Sequence, residues 1–244
     1  MDIEKIRAET PGAERVVHLN NCGAGLMPQP VLDAVISHLR LEAETGGYEA
    51  EAAAADALAN TYGALSRLLN CHTDEIAVVE NATVAWDMAF YGLPLGQGDV
   101  VLTAVSEYAS NYIAYLQRAK RDGIEIRVVP NDAHGQTDVA ALAEMIDDRV
   151  KLISITHAPT NGGLINPAAA IGRVARAAGV PYLLDACQSA GQMPLDVQAI
   201  GCDMLSATGR KFLRGPRGTG FLYVRADMLD RLEPPFPDLH AAVW

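Results

Sequence analysis

Residues 152–184 read LISITHAPTNGGLINPAAAIGRVARAAGVPYLL, and this stretch decides the fold class. Its first five and last five residues form short, mainly apolar runs of strand length, and residues 167–178 between them have the pattern of an amphipathic helix. A strand, a helix and a second strand in succession form a right-handed crossover, which makes the two strands parallel members of one sheet. The stretch therefore predicts an α/β unit.

The same alternation continues on both sides of this unit. The other predicted strands are residues 16–19, 76–79, 100–103, 124–129, 204–206 and 221–224. The other predicted helices are residues 28–41, an alanine-rich segment that runs to residue 69, 83–91, 111–121 and 139–146. The last strand follows a short loop, so we expect it to pair antiparallel. The predicted fold class is α/β, a mostly parallel sheet with helices on both faces and one antiparallel strand.

The composition limits the classes of function. The 244 residues are 50% apolar and 20% charged, which is enough apolar surface for a real core and excludes a disordered chain. Nineteen basic against 30 acidic residues give a net charge of −11, which repels nucleic-acid backbones and anionic lipid surfaces. No apolar run has the length of a membrane span. We therefore expect no nucleic-acid partner and no membrane partner.

The cysteines and histidines show no spacing typical of a metal site. Cys22, Cys71, Cys187 and Cys202 form no C-x-x-C pair, and the six histidines are scattered. We expect no metal, reduced thiols and a cytoplasmic protein.

Polar residues follow two of the predicted strands, where α/β proteins bind ligands. Thr83 would open a helix whose free N–H groups attract an anion, although an ordinary N-cap by Asn81 or Thr83 explains the same residues. Asp185 ends a fully apolar strand, where a carboxylate needs a hydrogen-bonding or cationic partner. It could equally cap the turn that follows.

Two further loops add polar and aromatic groups. Tyr108 could offer an aromatic face to a flat ligand, or it could simply pack half-buried in its loop. Asn161 adds an amide donor after the strand at 152–156. We interpret His157 as a hydrogen-bonded loop residue rather than a catalyst or ligand.

Residues 206–220, SATGRKFLRGPRGTG, contain four cations and no acid in a strongly acidic chain. This asymmetry indicates a buried anionic ligand close to Lys211, whereas a solvated basic loop is the alternative. The segment is not a Walker loop, and its glycines precede a strand, whereas a dinucleotide fingerprint follows one. A nucleotide-binding α/β domain is therefore a weak alternative.

Together these residues are the groups that pyridoxal 5′-phosphate (PLP) needs. Its aldehyde requires an amine such as Lys211 for a Schiff base, and its pyridine nitrogen requires a carboxylate such as Asp185. Its ring requires a stacking partner, which Tyr108 can provide. Its phosphate requires a helix N-terminus and hydroxyl donors, which Thr83 and Thr208 can provide.

The segments 184–189 (LDACQS) and 206–220 also resemble known motifs. From about residue 18 to its end, the chain is similar to PLP enzymes of the class V aminotransferase fold. That group contains cysteine desulfurases, isopenicillin N epimerase-like proteins and sulfoxide lyases of ergothioneine synthesis. The resemblance implies the large domain of the PLP transferase type I fold.

The resemblance implies a role for each matching residue. Thr208-Gly209-Arg210-Lys211 matches the Ser/Thr-Gly-His-Lys motif, so Lys211 inherits the catalytic Schiff-base role. Thr208 and Arg210 inherit phosphate contacts, and Ala82 and Thr83 match the small-Thr pair that also binds the phosphate.

Other residues match the ring and the substrate side of the family's site. The resemblance places Gln188 against the phenolic oxygen of the cofactor, with Asn161 close by. Asn20, Asn21 and Cys22 fall where the family's N-terminal segment lines the substrate pocket.

The chain also departs from the family pattern. Tyr108 replaces the stacking histidine of desulfurases, so Lys211 would perform most of the proton transfer itself. The resemblance implies an N-terminal segment at residues 1–30, a PLP-binding large domain at 31–232, and at 233–244 the start of a C-terminal small domain that is absent from this chain. That domain normally supplies the substrate-carboxylate arginine and the persulfide-forming cysteine, and neither is assigned here.

These observations predict a PLP-dependent enzyme that acts on an amino acid and cleaves the C–S bond of a cysteine-like substrate. Transamination or epimerisation is the alternative reaction. A truncated domain that binds PLP or a partner without catalysis is an alternative of a different class. The resemblance also implies a homodimer.

Overall fold

The structure, a computed structural model, describes residues 2–237. The strands are β1 (Ile76–Val79), β2 (Val100–Ala104), β3 (Glu125–Val129), β4 (Val150–Thr156), β5 (Tyr182–Asp185), β6 (Met204–Thr208) and β7 (Gly220–Val224). The helices are α1 (Ile3–Ala8), α2 (Gln29–Thr45), α3 (Gly47–Ala53), α4 (Ala55–Leu69), α5 (Ala82–Gly92), α6 (Ala109–Asp122), α7 (Val139–Glu144), α8 (Ala168–Ala178) and α9 (Val197–Ile200).

The strands form one sheet in the order β1-β7-β6-β5-β4-β2-β3. Each neighbouring pair from β6 to β3 is parallel, whereas β7 runs antiparallel to both β1 and β6. This confirms the predicted fold class. The parallel strands end at one edge of the sheet, so the loops after β2, β4, β5 and β6 lie near one another.

Alternate residues of the strands pack against helices on opposite faces of the sheet. Leu184 and Leu205 belong to a buried cluster that includes residues of α4, α7, α8 and α9. Their neighbours Leu183 and Met204 belong to a second buried cluster with aromatic residues of α5 and α6. The side-chain period of two along a strand explains this division.

The structure corrects three predicted elements. Residues 16–19 form no strand, and Val17 and Leu19 are each 90% exposed, because no neighbouring strand pairs with this short run. The alanine-rich segment is two helices, α3 and α4, which meet at Ala54. The ladder of β5 begins at Tyr182 rather than at residue 180 and ends at Asp185, which agrees with the prediction that this carboxylate ends the strand.

The predicted domain ranges remain predictions. Of the predicted start of a further domain at residues 233–244, the part at 238–244 lies outside the described residues.

Candidate active site

A cavity of about 260 Å³ opens at the carboxyl ends of β5 and β6, beside the first turn of α5. Seven of the nine predicted cofactor-binding residues line it. They are Ala82, Thr83, Tyr108, Asp185, Thr208, Arg210 and Lys211. Three residues that the sequence analysis did not select complete the lining, namely Asn81, Asn111 and Cys187. The fold thus brings together residues from four separate segments of the chain.

Asp185 is buried at the wall of this cavity. Its Oδ1 accepts a hydrogen bond from the backbone N–H of Cys187 at 2.9 Å, and its Oδ2 accepts one from Nδ2 of Asn111 at 3.1 Å. Within residues 2–237, no lysine or arginine forms an ion pair with it. Since a buried carboxylate without a cation is costly, Asp185 is suited to accept a hydrogen bond from a cationic N–H group of a ligand.

Lys211 is also buried, with 6% of its surface exposed. Its Nζ lies 5.7 Å from the ring centroid of Tyr108, at the N-cap of α6, which is a cation–π distance. The N-terminal segment at Gly25 packs against the loop that contains Lys211. A Cβ at Gly25 would lie 2.5 Å from the Lys211 carbonyl oxygen. Only glycine allows this approach, so the segment at Gly25 packs directly against the backbone of Lys211.

The first turn of α5 presents donors for an anion. The side chain of Asn81 caps the helix by accepting from the N–H of Val84 at 3.0 Å, as the N-cap interpretation expects. The N–H groups of Ala82 and Thr83 have no partner within the helix, and the helix dipole adds positive potential there. Arg210 lines the same cavity, so backbone, hydroxyl and guanidinium donors face one space.

Gln188 and Asn161 lie beside this cavity rather than in its wall. Nε2 of Gln188 donates to the carbonyl of Cys22 at 3.1 Å and to Oγ1 of Thr160 at 3.4 Å. Its Oε1 is buried and has no hydrogen-bond partner in the part of the chain that the structure describes. Asn161 is exposed and lines an adjacent cavity of about 370 Å³, which shares Tyr108 with the first.

The three predicted substrate residues have different surroundings in the structure. The backbone carbonyl of Cys22 contacts Gln188, and the Cys22 thiol donates to Oδ1 of Asn20 at 3.1 Å. Asn21 lines a different cavity, of about 240 Å³, together with Arg214. Of the three, only Cys22 has a described contact with a predicted cofactor residue.

Sequence reasoning missed Glu107, although it selected the next residue, Tyr108. The Glu107 carboxyl accepts hydrogen bonds from Thr156, from the backbone N–H of Tyr108 at 2.7 Å and from Nδ2 of Asn111 at 3.0 Å. Burial raises the pKa of Glu107 to about 7, the bond from Thr156 lowers it, and the charge of Asp185 raises it. Glu107 is adjacent to Tyr108 and closely follows the buried strand β2. This position in the sequence could have identified it as a candidate site residue.

Two other titratable groups near the site are uncharged at neutral pH. Burial and the charge of Asp185 raise the pKa of the Cys187 thiol well above its ordinary value. His157 is hydrogen-bonded through Nδ1 to Oγ of Ser189 at 3.0 Å, and burial lowers its pKa. The structure therefore agrees with the interpretation of His157 as a satisfied loop histidine.

Within residues 2–237, no three His, Cys, Asp or Glu residues are grouped in a way that could hold a metal ion. None of the described helices is both long and apolar enough to cross a membrane.

The sheet order, the buried lysine after β6 and the carboxylate at the end of β5 define a fold of the PLP transferase class. The chain belongs to the aminotransferase class-V family, whose model matches residues 17–238.

The relatives that this chain resembles include cysteine desulfurases and a cystine C–S lyase. A probable cysteine desulfurase of Methanothermobacter thermautotrophicus is 32% identical over 96% of this chain and 59% of its own length. A cystine C–S lyase, solved in complex with its reaction product cysteine persulfide, superposes with a TM-score of 0.87 at 29% identity, covering 93% of this chain and 62% of that chain. A variant of the same lyase, with glycine covalently linked to its PLP cofactor, superposes with a TM-score of 0.88 at 28% identity, covering 94% and 62%.

The chain spans between 54% and 60% of the length of the curated relatives that it matches.

Proposed function

We propose that this chain binds PLP in the cavity of about 260 Å³, within the large domain predicted at residues 31–232. The observation that supports it is that the amine of Lys211 and the carboxylate of Asp185 line one cavity, with the Tyr108 ring beside the amine. Lys211 would hold the aldehyde carbon, Asp185 the pyridine nitrogen, and Tyr108 the ring face. Gln188, whose buried Oε1 has no hydrogen-bond partner among the described residues, would contact the phenolic oxygen of the ring from beside this cavity.

The phosphate would bind at the first turn of α5. The free N–H groups of Ala82 and Thr83 point along the helix axis, and Thr208 and Arg210 lie across the same cavity. Arg210 also donates to the carbonyl of Gly23 at 2.6 Å, so its guanidinium is already oriented. This set of donors matches the charge and geometry of a phosphate monoester.

The reaction that we propose is cleavage of the C–S bond of a cysteine-like amino acid. Desulfurases and a cystine C–S lyase among the relatives support this reaction class. PLP supplies an electron sink for bonds broken at the α carbon of an amino acid. Lys211 would take the α proton at its Nζ, since Nζ is buried against the cavity and no described carboxylate pairs with it.

Tyr108 occupies the position of a stacking group in this proposal. Its phenol presents a ring face, but it lacks the basic ring nitrogen that a histidine would offer. Lys211 would therefore deliver the proton to the departing sulfur as well. In this proposal one residue, Lys211, moves both protons.

Three further expectations belong to this proposal. Asn20, Asn21 and Cys22 are proposed to lie on the substrate side, supported for Cys22 by its contact with Gln188. The functional unit is proposed to be a homodimer, by analogy with the family alone. The proposed compartment is the cytoplasm, which the absence of cysteine pairing supports.

Titration of the chain with PLP tests the cofactor proposal. We expect the wild type to develop the visible absorbance band of PLP joined to a lysine, and Lys211→Ala to lose it, because only Lys211 offers an amine in the cavity. Lys151→Ala, which removes an exposed lysine remote from the cavity, is the matched control. An unchanged band in Lys211→Ala would contradict the assignment.

A product assay separates the reaction classes. With cysteine or cystine as substrate and a thiol present as reductant, C–S cleavage releases hydrogen sulfide or a persulfide, together with either alanine or pyruvate plus ammonia. Release of an oxo acid with transfer of the amino group would favour the aminotransferase alternative, and racemised substrate the epimerase alternative. Bound PLP with no turnover of any of these would favour a binding domain without catalysis.

A further inference from the structure

Glu107 and Asp185 are joined by a single side chain. The amide nitrogen of Asn111 donates to Oε1 of Glu107 at 3.0 Å and to Oδ2 of Asp185 at 3.1 Å. Asn111 is 3% exposed and lies in the first turn of α6, so its position is set by the helix. Both hydrogens of its amide group are thereby used by two carboxyl groups. Asn111 therefore connects the carboxyl group of Glu107 to that of Asp185, which lines the cavity.

The surroundings of the Glu107 carboxyl contain donors but no described cation. From α6 and the loop before it come Asn111, the backbone N–H of Tyr108 and the hydroxyl of Tyr115 at 3.4 Å. From β2 comes Thr103, whose hydroxyl donates to Oε2 at 3.0 Å, and from β4 comes Thr156. Asp185 is the one charged group that faces it among the described neighbours.

Packing alone does not explain a carboxylate at this position. The oxygen of a glutamine could accept from the donors at Oε1, and its amide N–H groups could donate to the hydroxyls of Thr103 and Tyr115 at Oε2, without placing a second negative charge near Asp185. The like charge is unfavourable unless a cation binds next to Asp185. A protonated pyridine nitrogen is such a cation.

We propose that Glu107 is a positioning residue that acts through Asn111 on Asp185, orienting this carboxylate and strengthening its hold on a cationic ring nitrogen. The inference rests on the proposed function, because it concerns the proposed PLP site.

The physical consequence is a dependence of cofactor affinity on the charge of Glu107. Because burial places its pKa at about 7, Glu107 is mostly neutral at pH 6 and mostly ionised at pH 8. Ionisation adds negative potential at the ring nitrogen without adding any contact to PLP. The contribution of Glu107 to PLP affinity is therefore larger at pH 8 than at pH 6.

The experiment measures the dissociation constant of PLP at pH 6 and pH 8 for four forms of the full chain. They are the wild type, Glu107→Gln, Glu107→Asp and, as a matched control, Glu144→Gln, which removes an exposed charge at the end of α7. The ¹⁵N resonance of ring-labelled PLP reports the protonation of the pyridine nitrogen in each complex. Circular dichroism checks that each variant is folded.

For Glu107→Gln we expect PLP binding about tenfold weaker at pH 8 and near that of the wild type at pH 6. The ¹⁵N resonance at pH 8 should move toward the value of the unprotonated ring. Glu107→Asp keeps the charge and should recover most of the affinity at pH 8. Glu144→Gln should match the wild type at both pH values.

Three results would overturn the inference. Equal affinity of Glu107→Gln and wild type at pH 8 would show that the charge has no effect. An equal loss at both pH values, with an unchanged ¹⁵N resonance, would assign Glu107 a packing role only. A wild type that binds no PLP would instead overturn the proposed function itself, and this inference with it.

Discussion

Burial raises the pKa of Glu107 from 4.5 to about 7, so the folded chain binds this proton more tightly than the unfolded chain does. The stability that the neutral carboxyl contributes is therefore full below pH 4.5 and is lost as the pH rises through 7. Glu107→Gln removes this loss of stability at high pH, because a glutamine side chain does not ionise. We expect it to raise the free energy of unfolding of the PLP-free chain at pH 8 by about 1–3 kcal/mol, measured by urea denaturation, with little change near pH 4.5.

The same charge removal at an exposed position serves as the control. Glu144→Gln should change the free energy of unfolding by less than about 0.5 kcal/mol at either pH. A stabilisation by Glu107→Gln that is equal at pH 4.5 and pH 8 would contradict the titration argument.

At the scale of elements, Arg118 of α6 stabilises the C-terminal end of α5 through hydrogen bonds. Its guanidinium donates to the carbonyl oxygens of Phe90 at 3.0 Å, Leu93 at 3.1 Å and Leu95 at 2.8 Å, and its Nε donates to Asp122 at 2.6 Å. Arg118→Met keeps most of the apolar volume but leaves these buried acceptors unpaired. We expect a loss of about 3–5 kcal/mol in the free energy of unfolding, measured by urea denaturation.

Arg121 provides the matched control because it pairs with the same carboxylate from the exposed side of α6. Arg121→Met should cost less than about 1 kcal/mol. Equal losses in the two variants would show that the ion pair with Asp122, rather than the three carbonyl contacts, stabilises this end of α5.

At the scale of the whole molecule, the N-terminal segment is bound to the loop after β6. The N–H of Gly25 donates to the Arg210 carbonyl at 2.8 Å, and Arg214 donates to the Leu26 carbonyl at 2.8 Å and to Oγ1 of Thr10 at 2.6 Å. A ligand that orders Arg210 and Lys211 should therefore slow hydrogen exchange in residues 20–26. We expect this protection on adding PLP, measured by mass spectrometry, and its reduction in Arg214→Met.

Arg217→Met is the corresponding control, because Arg217 is exposed in the same loop. It should keep the full protection. If PLP binds to Lys211 but exchange in residues 20–26 does not change in the wild type, the segment is not coupled to the site.

Much of the fold and part of the site could be predicted because their signals are local. The apolar runs of β4, β5 and β6 and the helical spacing of α8 lie within single windows of sequence, as does the short loop that makes β7 antiparallel. The strand ends also locate polar residues, because parallel strands end at one edge. Seven of nine predicted cofactor-binding residues accordingly line one cavity.

By itself, the order of apolar and polar residues determined the α/β class and the antiparallel strand, and the residue types at the strand ends predicted the lysine and the carboxylate that line one cavity. Only the tertiary structure decided that residues 16–19 pair with no described strand and that Asn111 donates both to Glu107 and to Asp185, which lies 74 positions after Asn111. Periodicity records which face of an element is buried, whereas a hydrogen bond between distant loops depends on where the sheet brings their ends together.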